Sequence, residues 1–237
     1  MNIYENDKIV EQFTKHLLKQ GTRVFQIWKK GHDDRTHCEW LLNLAQFPLN
    51  ASVLDIACGV GTVALHMNEV RPDLRFSLQN VSSSQLELCP RRYWLYEGSM
   101  DTLQSVPNKA FDAAMVCYAL GHVEYLAEFF HNAARVLKPG GQLFVYDVQP
   151  LPGWEQWALD VLGYRTYTIK QLVEASCVRE RFSSMHVLEE VSNAVLNCHE
   201  FLNCCPMINA VDVCTRTKPV GYKFTKSTST YAARQAA

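Results

Sequence analysis

The stretch from Val53 to Met67 constrains this chain more than any other. Val53, Leu54 and Ile56 form a short apolar run that reads as a buried strand, with Asp55 embedded in it. Gly59 and Gly61 break the run, and Val63, Ala64 and Met67 continue at helical spacing. Strand, glycine turn and helix together present backbone N–H groups and a helix N-terminus to a ligand.

Two cofactor classes compete for that turn. Gly59-Val60-Gly61-Thr62-Val63-Ala64 fits the dinucleotide pattern G-x-G-x-x-G/A. That reading wants an acid about 20 residues on to bind a ribose diol, and this chain has Leu78-Gln79-Asn80-Val81 there, with no Asp or Glu between Asp73 and Glu87. The second reading uses Asp55, four residues before Gly59. Further along, Phe111–Cys117 reads as a strand and residues 124–137 as a helix. Ala134-Arg135-Val136-Leu137-Lys138-Pro139-Gly140-Gly141 then leads into a strand at Gln142–Val148. The Asp55 stretch resembles motif I, and the later block motifs IV to VI, of the class I S-adenosylmethionine (SAM) methyltransferases, at the separation that family shows.

The resemblance implies an α/β, Rossmann-like, doubly wound and mostly parallel sheet with a helical N-terminal cap. Strands are expected near 52–57, 74–80, 93–97, 111–117 and 142–148. An antiparallel hairpin from Met185–Val191 and Ala210–Phe224 would close the sheet. Residues 1–50 would form the cap over the cofactor site and residues 51–224 the SAM-binding domain. Residues 225–237 have the composition of a disordered tail.

The family also implies a site. Asp55 would receive the ammonium of SAM, with Ala57, Cys58, Gly59 and Gly61 lining the methionine half. Ala57 stands where the family usually has a glycine, a difference that matters only if its φ is positive. Gln79 and Asn80 replace the usual ribose-binding acid, and an amide can serve a diol as donor and acceptor together. The following Val81-Ser82-Ser83-Ser84-Gln85 resembles a stretch of carbon-methylating members. Ser99, Met100 and Asp101 fall at the adenine-contacting position, and Cys117 and Tyr118 follow the fourth strand. His122, on a segment resembling the S-L-x-H-V of small-molecule enzymes, is the first choice for a general base. A second polar cluster, His32, Asp33, Asp34 and His37, falls in the segment that walls the acceptor pocket in similar enzymes.

Composition narrows the setting. The chain has 237 residues, 48% hydrophobic and 20% charged, as an ordinary globular protein has. No apolar run is long enough for a membrane span, and the acidic first residues lack the features of a signal peptide. A net charge of -1 gives no global nucleic-acid signature, although Arg216, Lys218, Lys223, Lys226 and Arg234 follow the last acid, Asp212. The nine cysteines contain no C-x-x-C pair, which suits reduced thiols in a cytoplasmic protein. Cys198, His199, Cys204 and Cys205 match no familiar zinc spacing, so no metal is expected. The segment after Cys117 lacks the D/N/S-P-P-Y/F of amino DNA methyltransferases, which disfavours DNA. The leading expectation is methyl transfer from SAM to a small-molecule carbon, oxygen or nitrogen. The alternatives are an RNA or protein methyltransferase using the basic C-terminus, and a non-catalytic scaffold or regulator; oligomeric state is not readable.

Overall fold

The computed structural model describes Thr14 and residues 31–178, 181–194 and 215–228. Its first element is helix α1 (Asp34–Ala45), opened by Asp33, whose carboxylate accepts the Thr36 N–H at 2.8 Å. There follow β1 (Ser52–Ile56), α2 (Thr62–Val70), β2 (Arg75–Asn80), α3 (Ser83–Leu86), β3 (Trp94–Glu97) and β4 (Phe111–Cys117). Next come α4 (Leu126–Val136), β5 (Leu137–Pro150), α5 (Glu155–Leu162), α6 (Ile169–Cys177), β6 (Phe182–Val187), α7 (Glu189–Ser192) and β7 (Thr217–Lys226).

The seven strands form one sheet in the order β3-β2-β1-β4-β5-β7-β6. β1 to β5 pair in parallel, whereas β7 pairs antiparallel with both β5 and β6. This is the Rossmann-like arrangement expected, and the chain order reverses between β1 and β4, where such sheets open a crevice.

Alternation along the strands divides the core between two faces. Leu54, Ile56, Ala114, Val116, Leu143 and Val145 pack with Phe129 and Phe130 of α4 and with Phe182 and Phe224. On the opposite face Val53, Met115, Phe144 and Tyr146 pack with Leu41 and Ala45 of α1 and Met67 of α2. Asp55 shares the parity of Val53, so its carboxylate points to the α1–α2 side.

Several expected boundaries shift. β5 begins at Leu137, where the helix was expected to end, because the Lys138–Gly141 segment already lies in the extended strand. The closing hairpin is β6–β7. Its first strand stops at Val187 because Glu189–Ser192 turns into a short helix that buries Val191 against Gly221. Residues 210–214 of its expected second strand lie outside the described residues. β7 continues through Thr225 and Lys226, so the expected tail begins inside the sheet; residues 229–237 lie outside the described residues. So do the expected helices of residues 9–28, apart from Thr14, and the cysteines from Cys198 to Cys205.

Candidate active site

The carboxyl ends of β1, β2, β3 and β4 border a cleft of roughly 1160 Å³, open mouth included. It gathers Asp55, Ala57, Cys58, Gly59, Gln79, Asn80, Ser99, Met100, Asp101, Cys117, Tyr118 and His122 around one space. Gly61 is not part of the wall. It sits behind the turn at φ 78°, where a Cβ would meet Leu78 Cδ1 at 2.7 Å, so its glycine serves the packing of α2 on β2.

Asp55 is 2% exposed, and its Oδ2 has no hydrogen-bond partner among the described residues. Burial raises its carboxyl well above the usual carboxylate range. A buried carboxylate is stable in its charged form only when paired. Gly59, at φ 59°, has nothing within 4 Å of where a Cβ would stand, and Ala57 adopts φ 57° without being glycine. The condition under which Ala57 matters is therefore met.

The two amides at the end of β2 have structural partners. Gln79 accepts the Ala57 N–H at 3.2 Å and donates to the Gly98 carbonyl, bracing the first turn against the third. Asn80 donates to Gly59 O at 3.2 Å and to Gln85 Oε1 at 2.7 Å, and its Oδ1 accepts the Val81 N–H at 2.9 Å. Gln85 in turn donates to Thr14 Oγ1 at 3.3 Å, which ties the N-terminal segment to this network. Both Asn80 N–H groups are thus engaged, and Oδ1 is the atom with capacity left for a ligand hydroxyl.

Asp101 is spent in a similar way. Its carboxylate accepts the N–H groups of Glu124 at 3.1 Å and Tyr125 at 3.3 Å, and its backbone carbonyl accepts from Asn132 at 2.8 Å. Burial raises its carboxyl, with those N–H bonds opposing. Asp101 therefore fixes the approach to α4 while bordering the cleft.

His122 ends a 3-10 turn, Leu120–His122, and its ring meets Tyr164 edge-on at 4.9 Å. Burial, followed by the nearby Arg165 charge, pushes its pKa down to about 4. The imidazole is neutral at physiological pH but is a weak base there. The turn is held by Asp147 at the far end of β5, a residue that sequence reasoning missed. Its buried carboxylate accepts the Leu120 N–H at 2.6 Å, the Val148 N–H at 2.7 Å and the Tyr164 hydroxyl. Its signal, an acid inside an apolar strand, was the same one that singled out Asp55. Gln85 and Glu124 are further cleft residues missed as ligand candidates, as are the apolar Val60, Val63 and Val81.

The polar cluster near the N-terminus divides. Asp33 is a helix cap, Asp34 lies 3.7 Å from His66, and His37 is fully buried with Nε2 2.9 Å from the Tyr118 hydroxyl. Among the described residues no group of three or more His, Cys, Asp or Glu could hold a metal ion, and no helix is long and apolar enough to cross a membrane. Much of the basic C-terminal set is tied to the fold. Arg216 stacks on Trp154 at 4.0 Å, Lys223 reaches Gln46 Oε1 at 3.2 Å, and Lys226 donates to Leu137 O at 2.6 Å.

A methyltransferase-domain family model matches residues 28–191, and the chain belongs to the class I SAM-dependent methyltransferases. Demethylmenaquinone methyltransferase of Listeria welshimeri is 26% identical over 137 residues, which cover 52% of this chain and 57% of that enzyme. The chain thus spans little more than half the length of that relative. The solved 4+2 cyclase SpnF superposes with a TM-score of 0.72 at 17% identity, over 94% of this chain and 95% of that one. Phosphoethanolamine N-methyltransferase 2 of Haemonchus contortus was solved with phosphomonomethylethanolamine and S-adenosylhomocysteine. It gives a TM-score of 0.66 at 14% identity, over 93% of this chain and 57% of that one. At these identities the solved structures show the shared fold.

Proposed function

We propose that this cleft binds SAM and that the chain transfers its methyl group to a neutral small-molecule acceptor. The observation that carries the reading is Asp55 Oδ2, buried at the cleft wall with no hydrogen-bond partner among the described residues. The ammonium of the methionine half supplies the missing partner. The positive φ of Ala57 and Gly59 bends the turn so that backbone borders the same space. Asn80 Oδ1 would accept from the ribose, and Val81, Ser99 and Met100 would border the adenine.

When bound, SAM supplies a methyl on a cationic sulfur, a leaving group that needs no further activation. The protein's work is then to position and desolvate the acceptor. Cys117, Tyr118, Ala119 and His122 form a wall with no fixed charge, since burial keeps both the Cys117 thiol and the Tyr118 phenol protonated. Tyr146 packs edge-on behind Tyr118 at 5.2 Å. Such a wall favours a planar, uncharged acceptor. The quinone-type substrate in the name of the Listeria relative has this character.

Calorimetric titration of the full chain with SAM, S-adenosylhomocysteine (SAH) and NAD tests the cofactor assignment. Binding of both sulfur ligands without NAD, weakened by Asp55→Ala, is the expected result. Absence of binding in the millimolar range would sink it. Methyl-label transfer to a panel of hydroquinones, phenols and amines then tests the acceptor class.

A further inference from the structure

Beyond Asp55, the feature of the cleft with most chemistry is Tyr118. It follows β4 directly, and its backbone sits at φ 63° while its N–H still pairs with Tyr146 O at 2.9 Å. A left-handed backbone is an outlier for so bulky a residue. The ring it places on the cleft wall carries its hydroxyl 2.9 Å from His37 Nε2. His37 belongs to α1, 81 residues away in sequence, and is fully buried. Tyr146 meets both rings edge-on, at 5.2 Å from Tyr118 and 5.4 Å from His37, and Trp40 lies 5.4 Å from His37. Tyr118, on the cleft wall, therefore backs onto an imidazole enclosed in aromatic rings.

We propose that Tyr118 and His37 form the proton-accepting pair of the acceptor subsite, and that the acceptor is an acidic hydroxyl on an unsaturated carbon: a phenol, enol or quinol. This rests on the methyl-transfer reading of the cleft. The acceptor O–H bond breaks and its proton passes to the Tyr118 oxygen. At the same time the Tyr118 O–H bond breaks and its proton passes to His37 Nε2. The electron pair stays on the acceptor oxygen, or is delocalised onto its conjugated carbon, and makes the acceptor nucleophilic. Charge balances as phenolate plus imidazolium.

The relay explains why the chain needs two groups. Burial raises the Tyr118 phenol well above its usual range, so Tyr118 stays protonated and must pass a proton on to take one up. The other ionisable groups around it, Tyr146, Cys117, Cys38 and Asp147, each oppose its ionisation. His122, on the same cleft, is held to a pKa of about 4. Tyr118 would touch the acceptor; His37 acts through it.

The test uses the full chain saturated with SAH and p-nitrophenol as probe, whose ionised form is read by its visible absorbance. The wild-type complex is expected to hold the probe as phenolate roughly a pH unit below its solution midpoint, about tenfold more ionised at a given pH. His37→Asn, which does not border the cleft, should keep SAH binding and hold the probe as neutral phenol. Tyr118→Phe should do the same to the probe and decides the matter alone if His37→Asn fails to fold. An unshifted wild-type complex, failure of the probe to bind, or a shift that survives both variants and is lost in His122→Gln overturns the proposal. SAH binding, measured separately, reports on the cofactor reading whichever way the probe behaves.

Discussion

Tyr164 donates its hydroxyl to Asp147 and lays its ring against both Gly121 and His122. One side chain from the loop after α5 thereby fixes a strand-end carboxylate and the turn after β4. Tyr164→Phe deletes a donor to a buried carboxylate, a change expected to cost about 1–3 kcal/mol in urea unfolding. Gly121→Ala should be worse, because its new methyl would fall within the Tyr164 ring.

The same carboxylate makes stability depend on pH. Burial raises Asp147 to about 6 from an ordinary 3.8. The folded state then binds more protons than the unfolded chain between those values, so this group's contribution is fully present below 3.8 and is lost as pH rises through 6. In unfolding experiments across that window, the stability difference between wild type and Asp147→Asn should move against the wild type by about 3 kcal/mol. A difference that stays constant with pH would show that Asp147 titrates alike in the folded and unfolded states.

Asp55 predicts a proton linkage in binding. Its carboxyl is raised in the free protein, and a ligand ammonium favours the ionised form. SAH should therefore displace a proton and bind more weakly as pH falls below the free-protein pKa of Asp55. Calorimetry in two buffers of different ionisation enthalpy reads that proton directly, and Asp55→Asn should abolish it along with most of the affinity.

Ala57 and Gly61 should respond in opposite directions. A left-handed residue other than glycine costs roughly 1–2 kcal/mol, of which glycine's freedom in the unfolded chain returns about half. Ala57→Gly, at φ 57°, is expected to raise the melting temperature slightly and to leave SAH binding intact or improved. Gly61→Ala, with Leu78 Cδ1 2.7 Å from the new Cβ, should lower it.

His122 should show no ionisation near neutrality. Its ring resonances, followed by NMR against pH, should move with a midpoint near 4. A midpoint near 6.5 would restore it as the leading general base.

The parts of this molecule legible from sequence are those governed by local chemistry. Val53–Ile56 alternates between the faces of the sheet, and the glycines follow β1 where the cleft begins. What Gln79 and Asn80 do was not legible. A strand-end amide looks the same whether it meets a ribose or a carbonyl, and here the partners are Gly98 O and Gly59 O, fixed only when three strands assemble. His37 and Tyr118 carry no shared pattern because they meet through the packing of α1 on the sheet. The role of Asp147, though not the residue itself, was hidden by its partner, since nothing near it in sequence announces Tyr164.

The carbonyl of Gly59 accepts from Asn80 Nδ2 at 3.2 Å and has the Cys58 and Cys89 sulfurs at 3.4 Å and 3.6 Å. A glycine turn is the segment with most conformational entropy to lose, and here that loss is taken when the chain folds. A ligand arriving at the cleft finds the turn already shaped, so its affinity is not spent on ordering the loop. Recognition at this end of the site thus rests on a turn held in place by Asn80 and two cysteines.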